Sequence, residues 1–351
     1  MNRKTTVLAT GADMKNRFLL AKGDEFSAGP DISDLGVAEN YGLFRDEVLR
    51  AVKRSRPDTV VCDMHPGYFS TRLAGELSGS LVTVQHHHAH IASVMWENGL
   101  KGPVIGVSFD GTGYGTDGNI WGGEFLLVKK GKSRRLAHLK NLKMPGGDKV
   151  VSQPWRMVLS ILGEKGRPLL DGVPDREKDL VLLMMEKDLN APLTSSAGRL
   201  FDAAVALLGV CLNASFEAEG PVKLEKMCLP EESGSYPFKT LDAGGVKVID
   251  AEGVFLGMVR DMKKHRDKGV IATRFHNSMS NIIADTVREL SGCLGIRSVA
   301  LSGGVFQNAF LREKVMKKLA EEGLRVFVNR SLPASDLNIA WGQYYVSCGS
   351  R

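Results

Sequence analysis

The run Gln85-His86-His87-His88-Ala89-His90 puts four of the chain's eight histidines within five residues. On a helix, His86 and His90 stand at i and i+4 and project to one side, the spacing of a two-histidine metal half-site, whereas His87 and His88 point elsewhere. Imidazole suits iron and zinc alike, so carboxylates have to complete such a site. Two are placed to do so. Asp110 ends the apolar stretch 103–109 just before a glycine run, and Asp336 follows Pro333-Ala334-Ser335 and leads the last helix. Each also has a plainer reading, Asp110 as a turn cap and Asp336 as a helix cap. Two histidines with two aspartates make an N/O site with open positions for water or a phosphate oxygen. That suits Lewis-acid or orienting work by one divalent ion, not a closed structural site.

Glycine supplies 39 of 351 residues, and the excess over average usage gathers in three turns. These are Gly11-Ala12-Asp13, Gly111-Thr112-Gly113-Tyr114-Gly115 and Ser302-Gly303-Gly304, each following a predicted strand. Backbone N–H groups approach an anion closely at such turns. The candidate nucleotide contacts are therefore Gly111, Thr112, Gly113, Gly303 and Gly304. Ser196, Gly198 and Asp202 at the start of a later helix join them, with Gly209 beyond it. Asn308 can bond a ribose or base, or cap its own helix, just as Ser196 can be an ordinary cap. A Walker lysine motif is missing, and neither a P-loop nor a Rossmann site is indicated. Lys15 beside the first glycine turn can neutralise a phosphate or be an exposed hairpin lysine. His65, in Asp63-Met64-His65-Pro66, is a candidate base or a turn residue. GxSxG and a catalytic-cysteine context are both missing.

Periodicity predicts the elements that carry these residues. Strands fall at 7–10, 17–21, 59–62 and 81–85, helices at 37–55 and 69–78, and a helix runs from the histidines to Asn98-Gly99. The pattern then restarts. Strands at 103–109, 121–128 and 135–139 follow, the last two separated by a basic turn over 129–134. Helices come at 154–164, 175–189, 197–210 and 273–294, strands at 297–301 and 325–329, and a final helix follows Asp336. A strand–glycine-turn–strand start at both 7 and 104 predicts an α/β protein of two lobes around a cleft. The lobes are read as 1–100 and 101–336, the second with a helical insertion at about 150–290, and the helix at 337–351 packs back on the first.

Composition agrees with an ordinary folded chain, 43% hydrophobic and 25% charged, which excludes a disordered tail, a fibre and a disulfide-stapled mini-protein. Net charge is +6, too mild to call for nucleic acid without a focused basic patch. The five cysteines are scattered with no CxxC pair. That argues against a disulfide framework or thiolate zinc site and for a reducing cytoplasm. Signal-type and membrane-spanning apolar stretches are absent, so a cytoplasmic protein is expected.

Taken in order, the motifs resemble the C-terminal, transferase-bearing portion of the hydrogenase-maturation carbamoyltransferases (HypF). The matching runs are Gly11-Ala12-Asp13-Met14-Lys15-Asn16, Cys62-Asp63-Met64-His65-Pro66, Gln85 through His90, Asp110-Gly111-Thr112-Gly113-Tyr114-Gly115, Trp121-Gly122-Gly123-Glu124 and Pro145-Gly146-Gly147-Asp148. Ser195-Ser196-Ala197-Gly198-Arg199-Leu200-Phe201-Asp202 and Leu301-Ser302-Gly303-Gly304-Val305-Phe306-Gln307-Asn308 complete the set. The resemblance implies a two-lobed actin/sugar-kinase/Hsp70-like (ASKHA) fold, shared with the tRNA threonylcarbamoyl transferase. It places the metal ligands on His86, His90, Asp110 and Asp336. It also implies carbamoyl adenylate (or ATP/AMP) as the nucleotide and the C-terminal cysteine of a HypE-like maturation protein as acceptor, on the way to the cyanide ligands of a nickel–iron centre. The adenylate would come from a separate YrdC-like domain or subunit. Two departures stand out. Glu217-Ala218-Glu219-Gly220-Pro221 replaces the usual Glu-Gly-Gln-Ala-Ala, and Asp336-Leu337-Asn338 replaces Asp-Gly-Gly. Alternatives are threonylcarbamoyl transfer to tRNA, a non-catalytic nucleotide-binding subunit, and O-carbamoylation of a small molecule.

Overall fold

The computed structural model describes residues 5–77, 79–129 and 131–349. The chain opens with β1 (Thr6–Ala9), buried along its whole length, then β2 (Met14–Asn16), β3 (Leu19–Lys22), β4 (Glu25–Ala28) and β5 (Ile32–Asp34). Helix α1 (Ala38–Ser55) buries Phe44, Val48 and Ala51, one stripe at i, i+4 and i+7, and ends where Arg56 turns left-handed. Strands β6 (Thr59–Asp63) and β7 (Ser80–Val84) alternate with α2 (Phe69–Glu76) and α3 (His86–Glu97). The first sheet has the order β4-β3-β1-β6-β7, and β2 pairs with β5 in a separate ribbon. β3 runs antiparallel to β1 and to β4, whereas β6 is parallel to β1 and to β7.

The second sheet is built around β8 (Val104–Tyr114), β9 (Ile120–Lys129) and β10 (Lys132–Leu139). The short β11 (Leu142–Lys143) and β12 (Leu193–Thr194) pair beside it, and the hairpin β13 (Lys239–Ala243) and β14 (Val246–Asp250) joins it at β10. Helices α4 (Lys149–Ser152), α5 (Trp155–Leu162), α6 (Asp175–Glu186), α7 (Ala197–Leu207), α8 (Glu219–Lys226), α9 (Glu252–Lys263) and α10 (Lys268–Leu294) fill the excursion. The chain returns through β15 (Ser298–Ser302), α11 (Ala309–Glu321), β16 (Arg325–Val328) and α12 (Ile339–Gly349). The central run β10-β9-β8-β15-β16 repeats the order and sense of β4-β3-β1-β6-β7: two antiparallel strands, the leading strand, two parallel ones. The double start at 7 and 104 is thus one topology used twice.

Several boundaries differ from the sequence reading. The basic turn is shorter, because Lys132 to Arg134 already pair with β9; Lys130 lies outside the described residues. Helix α10 begins at Lys268, five residues early, because the Asp267 side chain accepts the amides of Gly269 and Val270. The stretch 150–290 is not purely helical, since it contains β12, β13 and β14. Positions 350–351 of the last helix fall outside the described residues.

Helix α3 forms the wall between the sheets. Ala89 and Ala92 pack with Val7, Val61 and Trp341, while Ile91, Val94 and Met95 pack with Val104, Leu126 and Ala300. A helix apolar on both flanks and histidine-rich at its start is buried from His86 to Met95. Helix α12 closes against it. The Gln343 carboxamide brackets Gly11, accepting its N–H at 2.9 Å and donating to its carbonyl at 3.0 Å.

Candidate metal centre

Four local devices converge at the N-terminal end of α3. Gln85 caps the helix, its Oε1 accepting the His88 amide at 2.9 Å, while its Nε2 donates to the Tyr114 carbonyl at 3.0 Å. One turn apart, the His86 and His90 rings meet edge to face at 4.9 Å. On β8 the ladder slips, with four steps from Phe109 to Gly113 facing two steps from Gly123 to Trp121. This bulge lifts Asp110 out of the ladder and turns it toward the histidines. Gly303 (φ 99°) hugs β8 so closely that a Cβ there would lie 2.4 Å from the Phe109 carbonyl oxygen. Only glycine permits that approach, and it delivers the Gly304 N–H to Asp110 Oδ1 at 2.9 Å. Asp336 opens the short 3-10 turn Asp336–Asn338 ahead of α12.

Asp110 Oδ2 lies 3.4 Å from His86 Nε2 and 3.6 Å from His90 Nε2, and Asp336 Oδ1 lies 3.6 Å from both. All four donor atoms fall within 4.8 Å of one another. A tetrahedron with metal–ligand bonds of about 2.1 Å has edges of about 3.4 Å, so one cation fits this frame. Both imidazole Nε2 atoms are buried without a hydrogen-bond partner, a cost that a ligand to those lone pairs would remove. Their other nitrogens are engaged: His86 Nδ1 sits 2.8 Å from Asp63 Oδ2 and His90 Nδ1 3.0 Å from Asn338 Oδ1. These acceptors place the proton on Nδ1 and turn Nε2 toward the carboxylates. Burial disfavours charge on His86, yet Asp336, Asp110 and Asp63 overturn it and hold its pKa well above the ordinary value. Burial likewise opposes ionisation of Asp110, but the facing imidazoles of His86 and His90 hold its carboxyl well below the usual range.

A cavity of about 320 Å³ opens beside this cluster, lined from the first lobe by Met14 and Lys15. That is at the lower end of the roughly 300–1,000 Å³ typical of small-molecule sites. Asp110, Gly111, Gly198, Arg199, Asp202, Glu217, Gly304, Asn308 and Asp336 form much of the rest. Its wall carries the carboxylates Asp110, Asp202, Glu217, Glu225 and Asp336 against the cations Lys15 and Arg199. A phosphate entering it needs a further positive charge, which a cation on the four donors would provide.

Other sequence candidates have different surroundings. Thr112 is exposed on the bulge and does not line the cavity. Gly113 packs under the histidines, where a Cβ would lie 2.5 Å from His87 Cε1 and 2.9 Å from His86 Cδ2. Ser196 caps α7 and its hydroxyl reaches the carbonyls of Asp110 at 2.9 Å and Gly111 at 2.7 Å. It braces the bulge and does not line the cavity. Gly209 (φ 65°) ends α7 away from the cavity. His65 stacks on Tyr68 at 4.1 Å, its Nδ1 accepting the Gly67 amide at 3.1 Å, and is likewise not a lining residue. Asn308 does line the cavity and also caps α11, its Oδ1 accepting the Leu311 amide at 2.8 Å. Lys15 pairs with Glu217 at 3.0 Å. Sequence reasoning passed over Asp63, Asn338, Arg199 and Glu217 as site residues. Asp63 lay in the run that supplied His65, and Asn338 and Glu217 lay in the two departures.

Two outcomes can be measured here. Burial pushes the Asp202 carboxyl up to about 6 against the pull of Arg199, 2.9 Å away. Carbon NMR of Asp202 should show a midpoint near 6, and Arg199→Met should raise it, because the charge favouring the carboxylate is removed. An unchanged midpoint in R199M would contradict this balance. Ala218 sits at φ 63°, in the left-handed region that favours glycine. Its Cβ strains the left-handed backbone by about 1–2 kcal/mol, so Ala218→Gly should raise stability by up to about 1 kcal/mol after the unfolded-state entropy cost, read by denaturant unfolding.

Comparisons with known proteins decide the family. The model of a HypF Kae1-like domain matches residues 2–97, and that of a carbamoyltransferase, Kae1-like domain, second subdomain, matches residues 106–343. The chain belongs to the HypF carbamoyltransferase family. It is 36% identical to a carbamoyltransferase HypF homolog of Cupriavidus necator, over 97% of this chain and 91% of the relative. It is 31% identical to a probable carbamoyltransferase HypF of Methanocaldococcus jannaschii, over 98% of this chain and 46% of that protein. The crystal structure of full-length HypF in its phosphate- and nucleotide-bound form superposes with a TM-score of 0.94 at 34% identity, covering 99% of this chain and 47% of that one. The chain thus spans under half the length of the last two. With the doubled sheet topology, this match gives the family fold, two-lobed and ASKHA-like.

Proposed function

We propose that the chain transfers a carbamoyl group from carbamoyl adenylate to a C-terminal cysteine of a HypE-like maturation protein in the cytoplasm, using one iron or zinc ion. Residues 1–100 and 101–336 act as two lobes around the nucleotide. The observation that carries the reading is the meeting of His86, His90, Asp110 and Asp336 within 4.8 Å at the edge of the cavity. The nucleotide and phosphate of the full-length HypF structure support a nucleotide there.

On this reading the four side chains hold the ion, which when bound supplies Lewis-acid charge to the adenylate phosphate. The Gly304 amide fixes Asp110, and Asp63 and Asn338 fix the two imidazoles, so the donors need no rearrangement. Lys15 leaves Glu217 to orient the phosphate or carbamoyl oxygen. Gly111, Gly198 and Asn308 border the nucleotide, and Asp202 faces its sugar or base. The acceptor thiol, with an ordinary pKa of about 8.5, is partly ionised near neutrality and needs no strong base. His65 accordingly braces its turn.

The test is mass spectrometry of the acceptor's C-terminal peptide after incubation with metal-loaded protein and supplied carbamoyl adenylate. One carbamoyl adduct on the cysteine is expected, with AMP released. Nucleotide binding without any adduct would replace this reading by the non-catalytic one.

A further inference from the structure

Asn338 closes the short turn that Asp336 opens, and it is completely buried. Its Oδ1 faces His90 Nδ1 at 3.0 Å. Its Nδ2 faces the Pro333 carbonyl and Asn329 Oδ1, each at 3.0 Å, and Ser302 Oγ at 3.2 Å. Those acceptors fix which way the carboxamide points, so its oxygen must meet the imidazole N–H. Asn329 is held in turn, its Nδ2 reaching Glu97 Oε2 at 3.1 Å and Ser93 Oγ at 3.3 Å. Glu97 also accepts the Arg330 amide at 3.1 Å and binds that of Ser331. The chain of contacts therefore leaves α3 at Glu97, crosses the loop that carries Asp336, and re-enters α3 at His90. The other histidine is oriented differently, by the carboxylate of Asp63.

We propose that Asn338 is a positioning residue of the metal centre, a neutral amide that locks His90 with its proton on Nδ1 and its Nε2 toward Asp110 and Asp336, and that Asn329 and Glu97 hold the amide in register. The inference rests on the reading of these residues as a metal site. Loss of such an outer partner lowers metal affinity by about 10- to 100-fold.

The experiment uses histidine-labelled full chain with zinc as the probe. In the wild type the His90 Nδ1–H should give a cross-peak protected from water exchange, and zinc should bind through Nε2. In Asn338→Ala that cross-peak should vanish while that of His86 persists, and zinc affinity should fall about 10- to 100-fold. Asn338→Asp keeps an acceptor facing Nδ1 but loses the amide donors. It should retain the cross-peak and most of the zinc affinity, whereas a merely structural role for Asn338 would make both variants equally poor. Zinc binding by N338A within twofold of wild type, zinc bound through Nδ1, or equal losses in N338A and N338D would each overturn the proposal. Should N338A fail to fold, Asn338→Gly replaces it with the same expectations. If the wild type binds no zinc, the metal reading falls, and exchange of His90 Nδ1–H in the metal-free protein still decides: protection lost in N338A supports the positioning role, and protection unchanged overturns it.

Discussion

His90→Ala should cost the protein its metal: affinity for zinc or iron falls by about 10²- to 10³-fold, and dialysis against a chelator strips the variant but not the wild type. Tightly held zinc in proteins carries about 10–16 kcal/mol over four ligands, so each ligand accounts for about 2.5–4 kcal/mol. His90 is an apt ligand to remove because its Nε2 is buried and unpartnered, so no fold-stabilising hydrogen bond is lost at that atom. Asp110 keeps the Gly304 amide in the variant. The Nδ1 bond to Asn338 goes with the ring and lowers stability, but circular dichroism should still show the native fold, and Asp336→Asn, which preserves shape, should show the same loss of metal. A full equivalent of metal retained by both variants, measured by elemental analysis, would remove the centre from the site.

Gly342→Ala should destabilise the fold strongly, because among the described residues with Cβ contacts its added methyl makes the tightest clash. A Cβ at Gly342 of α12 would lie 1.8 Å from the Ala89 carbonyl oxygen of α3 and 2.8 Å from its Cα. The obstacle is backbone, so no rotamer change relieves it, and the helices must separate. Overpacking costs about 1–3 kcal/mol and sometimes more, and with backbone as the obstacle the upper end is expected, which lowers the melting temperature by about 4 °C or more in a chain of 351 residues. Ala89 adjoins His90, so metal affinity should fall with it. The comparison variant is Gly292→Ala near the end of α10, where the added Cβ meets nothing within 4 Å. There alanine should stabilise by about 0.5–1 kcal/mol through helix propensity. A G342A melting temperature within 2 °C of wild type would show that the helix crossing yields easily.

The four donors are legible in the sequence because their types are uncommon in combination and each stands at a break in the pattern: the start of α3, the end of the apolar run in β8, the turn ahead of the last helix. The residues that aim them are not. Asp63 and Asn338 are ordinary polar residues, and what makes them partners of His86 and His90 is the docking of β6 and α12 on α3, which no local pattern encodes. Glycine is ambiguous for a related reason. It signals that a Cβ is excluded but not by what: Gly303 is excluded by β8 backbone, and Gly113 by two histidine rings rather than a phosphate. Charged residues mislead at exposed strands, as Lys132 and Arg134 do in β10. The β13–β14 hairpin has a plain signal in Gly244-Gly245, but β13 is exposed at every position and lacks the apolar alternation that would mark it.

The donors sit at positions 86, 90, 110 and 336, so the coordination sphere spans nearly the whole length of the polypeptide. Until both sheets have formed and the C-terminal helix has docked, Asp336 has no fixed distance to the imidazoles. An ion cannot nucleate such a fold in the way it nucleates a compact zinc finger. On the proposed metal reading, loading would follow folding, and metal content would report on finished molecules rather than nascent ones.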